Sequence, residues 1–112
     1  MATLKKLITN LWFDNEAEEA ANYYVSIFQS GTIDKIQRYS DEGYEIHQRP
    51  AGSVMTVAFT LLASPFLALN GGPYFQFNEA VSIIVPCDTQ DEIDYYWEKL
   101  SEGGDPKAQQ CG

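Results

Sequence analysis

Between residues 53 and 86 the apolar side chains recur at every second position in back-to-back runs, and a period of two marks β-strands rather than helix. Met55, Val57, Phe59 and Leu61 leave one face of the first run while Thr56, Ala58 and Thr60 leave the other, because successive strand side chains alternate. The second run sets Leu67 and Leu69 against Phe66, Ala68 and Asn70, and the third sets Val81, Ile83 and Val85 against Ala80, Ser82 and Ile84. A half-exposed antiparallel sheet carries Lys, Glu or Arg on its outer face, and these runs place none there. The pattern predicts a sheet with helices on a bulky face, comprising Leu11, Val57, Phe59, Leu69 and Val85, and a cavity or a partner on the small-residue face.

The flanking segments supply the helices. Leu7, Leu11 and Phe13 alternate with Ile8, Asn10 and Trp12, so residues 4–13 read as a further strand. Asn15 and Glu18 have the spacing of a capping box, and Ala17, Ala20, Ala21, Tyr24, Ile27 and Phe28 follow at helical spacing until Ser30-Gly31 stops them. Glu16, Glu18 and Glu19 suit the positive end of that helix and read as a solvated face. Residues 33–39 form a short polar strand suited to a sheet edge. Residues 41–53, with Gly43, Pro50 and Gly52, read as a loop that holds the one histidine, His47, as a surface residue.

Ala63-Ser64-Pro65 is the expected connection between the central strands. Gly71-Gly72-Pro73 forces a turn, and Tyr74, Phe75 and Phe77 beside it read either as a lid over the small-residue face or as plugs of the core. Thr89 and Glu92 make a second capping box, followed by Ile93, Tyr96, Trp97 and Leu100 at helical spacing, with Trp97 expected in the core. Gly103-Gly104 ends that helix, and residues 105–112 read as a polar tail.

A chain of 112 residues, 45% hydrophobic, is expected to form one domain with its own core. Seven basic against sixteen acidic residues leave a net charge of -9, which repels phosphate backbones and argues against a nucleic-acid partner. The opening MATLKKLITN has no apolar signal core, and no run has the ~20 apolar residues of a membrane span, so a cytoplasmic protein is expected. Cys87 and Cys111 then read as free thiols, and their spacing fits no zinc knuckle.

Strand, helix and three strands, followed by another strand and helix, make an α+β chain: one βαβββ unit and the first strand and helix of a second, broken off after about residue 104. The segments LWFDNEAEEAANYYVSIF, SVMTVAFTL, PFLALNGGPYFQFNEAVSIIVPC and DEIDYYWEKLSEGG resemble the PhnB-like proteins across nearly the whole chain. That family is labelled 3-demethylubiquinone-9 3-methyltransferase-like and belongs to the vicinal oxygen chelate group, with glyoxalase I, bleomycin-resistance proteins and extradiol dioxygenases. The resemblance implies the glyoxalase/bleomycin resistance-like fold. Metal-dependent members of the group carry His, Gln or Glu on the concave sheet face, and residue-by-residue matching brings those places near Ile8, Ala68 and Ala80, none of which can bind a metal. PhnB-like chains also run on past QCG to complete the second unit, whereas this one stops at Gly112.

The leading expectation is a metal-free small-molecule-binding protein without a cofactor, its pocket formed on the concave face by Asn10, Trp12, Thr56, Asn70 and Ser82. One alternative is a structural dimer module in which that face packs on a second copy, and a homodimer is expected in any case to cover the apolar face left by the short second unit. The other is an enzyme, either 3-demethylubiquinone 3-methyltransferase-like or a metal-dependent glyoxalase/dioxygenase type. The residues themselves offer no nucleophile beside a base to which catalysis could be assigned.

Overall fold

A computed structural model describes residues 5–104, and the start of the first expected strand at Leu4, the polar tail and Cys111 lie outside them. The chain divides into two compact units that meet between Phe77 and Asn78. In the first, β1 (Thr9–Phe13) leads into helix α1 (Ala17–Ile27), and β2 (Thr32–Arg38), the single-turn helix α2 (Tyr44–His47), β3 (Val54–Leu61) and β4 (Ser64–Asn70) follow. The four strands make one mixed sheet in the order β1-β4-β3-β2, with β1 parallel to β4 and the other neighbours antiparallel. This is the expected βαβββ arrangement, with the polar β2 at an edge. Where residues 41–53 read as loop, α2 adds one turn.

Helix α1 covers one sheet face. Val57, Phe59 and Leu61 of β3 are buried there with Phe66 and Ala68 of β4, and Ala17, Ala21, Ile27 and Phe28 close over them. Phe59 stacks on Phe66 at 5.3 Å between ring centroids and on Tyr24 of α1 at 6.3 Å. Burial raises the Tyr24 phenol pKa above its ordinary value, since the charged phenolate would lose its water.

The hairpin between β3 and β4 alters the expected faces. Leu61 pairs with Ser64 and Thr60 with Pro65, so the turn is the two residues Leu62-Ala63 and not Ala63-Ser64-Pro65. Both turn residues have positive φ, 49° and 66°, the conformation of a tight type I′ turn that matches the twist of the strands. This register puts Phe66 opposite Phe59 and Ala68 opposite Val57, so Phe66, Ala68 and Asn70 face α1 while Leu67 and Leu69 point away. The expected grouping of Leu69 with Val57 and Phe59, and of Asn70 with Thr56, is therefore reversed. Displacing a strand by one residue exchanges its two faces.

The start of α1 also differs from expectation. Its N-cap is Glu16, with no side-chain cap, and Glu16 Oε1 instead accepts the Asn15 N–H at 3.1 Å. The free N–H of Ala17 is met from across the fold by Asn70 Oδ1 at 2.8 Å, and Asn70 Nδ2 donates to the Val54 carbonyl at 3.1 Å. The Tyr39 hydroxyl donates to the Asn70 carbonyl. One buried side chain thus replaces the local capping box.

In the second unit, α3 (Gln90–Ser101) begins as expected: Thr89 Oγ1 accepts the Glu92 N–H at 3.2 Å, while Glu92 Oε2 takes the N–H of Asp88 at 3.4 Å. None of its residues is buried, and Trp97 is half exposed instead of lying in a core. Among the described residues, 81–85, read as a strand, form none. Cys87 is a free thiol. No helix among the described residues is long and apolar enough to cross a membrane.

Two stability measurements check this account. Asn70→Ala should lower the free energy of urea unfolding by about 2 kcal/mol or more, since it removes a helix cap and leaves the Val54 carbonyl unpaired. A loss below half that value would show the cap to be dispensable. Leu62→Asn combined with Ala63→Gly should raise stability by about 1 kcal/mol, because Asn and Gly tolerate the left-handed conformation that Leu and Ala adopt here at a cost. An unchanged or lower urea midpoint would contradict the turn assignment.

Candidate functional site

The sheet face turned away from α1 is a small grid of cross-strand rows. Trp12 of β1 lies beside Leu69 of β4, Leu69 beside Thr56 of β3, and Thr56 beside Gln37 of β2. The next row runs Asn10, Leu67, Ala58 and Lys35. Side chains directly opposite one another on paired strands share a face, so these residues form one surface. Its centre is apolar and partly shielded, with Leu67, Leu69 and Ala58 of intermediate exposure. Thr56 donates to the Gln37 side-chain oxygen at 3.3 Å and is 9% exposed. The one charged side chain in the two rows, Lys35, stands at the β2 edge.

At the carboxyl ends of β1 and β4 this surface meets an aromatic rim. The ladder continues past the strands, with Gly71 N–H donating to the Phe13 carbonyl at 2.9 Å and Gly72 N–H to that of Asp14 at 3.3 Å. The Trp12 indole N–H donates to the Gly72 carbonyl at 2.9 Å. A Cβ on Gly71 would lie 2.3 Å from the indole Cζ2, so only glycine allows the ring to lie against this backbone. Arg49 Nη2 donates to the Asp14 carbonyl at 2.7 Å and pairs more loosely with its carboxylate at 3.4 Å. The aromatic loop clasps β1 from both sides: Phe75 meets Trp12 edge-on at 4.8 Å, and Phe77 meets Phe13 edge-on at 5.3 Å. Because Trp12 and Phe13 point to opposite faces, the loop is neither wholly a lid nor wholly a plug.

Of the five residues expected to line a pocket, Asn10, Trp12 and Thr56 do share the open face. Asn70 does not: it lies on the helix face, 6% exposed, with both ends of its amide engaged. Ser82 belongs to the second unit, in an exposed segment outside any strand. Leu67, Leu69 and Gln37 were not expected on this face, and the signal that would have placed the two leucines is the length of the hairpin turn. The three positions matched to metal ligands can each be located. Ala68 is fully buried on the helix face, Ile8 precedes β1, and Ala80 lies in the second unit. Among the described residues no three His, Cys, Asp or Glu side chains gather into a set that could hold a metal ion.

The rows offer hydroxyl, amide and indole groups around an apolar centre, and no side chain in them is a nucleophile hydrogen-bonded to a base. At the β2 edge, Asp34 accepts from the Thr60 hydroxyl at 2.6 Å and the Thr32 hydroxyl at 2.9 Å, so its carboxylate is held by two donors.

Comparison with known proteins places this fold. The family described as 3-demethylubiquinone-9 3-methyltransferase matches residues 5–112. A solved PhnB protein from Bacillus cereus is 35% identical over 87% of this chain and 74% of its own, with a TM-score of 0.73. A protein from Staphylococcus aureus is 26% identical over 90% of this chain and 71% of its own, with a TM-score of 0.46. No curated protein gives a significant match. With the family matching nearly from end to end, and a PhnB protein sharing both the fold and a third of the residues, the chain belongs to the 3-demethylubiquinone-9 3-methyltransferase family as a PhnB-like protein.

Proposed function

We propose that this chain is a small-molecule-binding protein that holds an organic ligand on the open sheet face without a metal. The observation that carries the reading is the row Trp12, Leu69, Thr56 and Gln37, in which an apolar floor is flanked by an aromatic ring at one end and hydrogen-bonding groups at the other. The family description speaks for methyl transfer instead. Against it stands the connection from β1 to α1, which runs through Asp14, Asn15 and Glu16 and not through the glycine-rich turn by which nucleotide-like cofactors approach a helix N-terminus.

A thermal-shift screen of uncharged and zwitterionic organic compounds, run with S-adenosylmethionine among them and a chelator throughout, tests both readings. A true ligand at 100 times its dissociation constant adds about 2.7 kcal/mol of stability. Its binding should alter Trp12 fluorescence, and Thr56→Val should weaken it by about tenfold through loss of one hydrogen bond. Hits whose affinity ignores Thr56→Val and whose binding leaves the indole unchanged would move the site elsewhere. Stabilisation by S-adenosylmethionine and not by the other compounds would favour the methyltransferase.

A second reading, homodimerisation, is favoured by the second unit, where Val81 is 79% exposed, Ile84 83% and the whole of α3 unburied. Surface of this kind is removed from water by a second copy. Dimers held in this way have an unfolding midpoint that rises with protein concentration. Light scattering at the mass of one 12.6 kDa chain, with a midpoint independent of concentration, would exclude it.

A further inference from the structure

We propose that Asn70-Gly71 is a latent modification site, a deamidation site that the folded chain holds shut and that unfolding opens. The reaction needs a residue after the asparagine that offers no steric hindrance, a backbone N–H that can give up its proton, and a side-chain carbonyl carbon free to reach that nitrogen. The chain meets the first condition once: Asn10, Asn15, Asn22 and Asn78 precede Leu11, Glu16, Tyr23 and Glu79, and only Asn70 precedes a glycine. The fold withholds the other two. Gly71 N–H is engaged with the Phe13 carbonyl at 2.9 Å, and the Asn70 amide is pinned by Ala17 N–H at one end and the Val54 carbonyl at the other. The residue is 6% exposed, which keeps solvent base away.

In the unfolded chain hydroxide takes the Gly71 N–H proton and the nitrogen attacks Asn70 Cγ. The Cγ–Nδ2 bond breaks, ammonia leaves carrying a proton from water, and a five-membered succinimide closes. Water then adds to one of its two carbonyls and opens the ring, leaving an aspartyl or isoaspartyl residue at position 70. Neither product fits the site as the asparagine did. The carboxylate has no N–H for the Val54 carbonyl and faces it as a second acceptor. The isoaspartyl form also carries the side-chain carbon into the main chain and moves Gly71 out of register with Phe13. A chain modified while open therefore refolds poorly, and the site records time spent unfolded.

The test incubates the full chain at mildly alkaline pH in native buffer and in concentrated urea, then follows amide-to-acid conversion at each asparagine by mass spectrometry. In urea Asn70 should convert faster than Asn15, Asn22 and Asn78. In native buffer its conversion should slow by about tenfold or more, because it then follows the small open population, while the three exposed asparagines change little. Equal rates for Asn70 in the two solutions would overturn the lock, and a rate in urea no faster than the other asparagines would overturn the site. Gly71→Ala, read only in urea where folding plays no part, should slow conversion, and an unchanged rate would show that the nitrogen of residue 71 is not the nucleophile. When a half-converted pool is diluted from urea, modified chains should be enriched in the fraction that fails to recover native Trp fluorescence. Equal partition would overturn the claim that the product is rejected.

Discussion

A single buried carboxamide holds the first unit together at the point where its elements converge. Asn70 ends the central strand β4, caps α1 through Ala17, ties down the start of β3 through Val54, and receives the Tyr39 hydroxyl on its own carbonyl from beyond β2. A buried amide costs free energy unless its donor and acceptor are both met, and here both are. Its partners are 53, 31 and 16 residues away along the chain. The helix, the sheet and the loop after β2 therefore stabilise one another, and the local helix signal at Asn15 and Glu18 goes unused because a longer-range acceptor occupies the first N–H of α1.

Much of this architecture was legible in the residues. The alternation of β1 and β3 correctly gave Leu11, Phe13, Val57 and Phe59 to one face and Asn10, Trp12 and Thr56 to the other. The order of the four strands and α1 was legible too, since each is long enough to show its own period, whereas the single turn of α2 is too short to show one and was read as loop. The faces of β4 were not. They depend on whether the turn has two residues or three, and Leu-Ala is a poor sequence for a type I′ turn, so nothing local announced it.

The candidate site was legible in the same uneven way. Trp12, Asn10 and Thr56 followed from alternation alone, whereas Asn70 inherited the error in β4 and was read as a pocket group when it is a structural one. Arg49 escaped notice because its role depends on a loop that returns to the end of β1, and no periodicity encodes such a return. The helical spacing of Ile93, Tyr96, Trp97 and Leu100 identified α3 but not its burial, since an amphipathic pattern states that a face seeks cover without naming what supplies it.

The contact of Trp12 with Gly71 bears on how such a chain can diverge. The indole occupies the volume that any side chain at position 71 would need, and it also holds the Gly72 carbonyl. Replacing Gly71 first drives a methyl group into the ring, and replacing Trp12 first leaves a void and an unbonded carbonyl, so either single step is unfavourable. The two positions act as one unit of variation. A chain with a smaller side chain in place of Trp12 would be free to lose the glycine, and one that kept the tryptophan would not, so a change at either position is expected to require a change at the other.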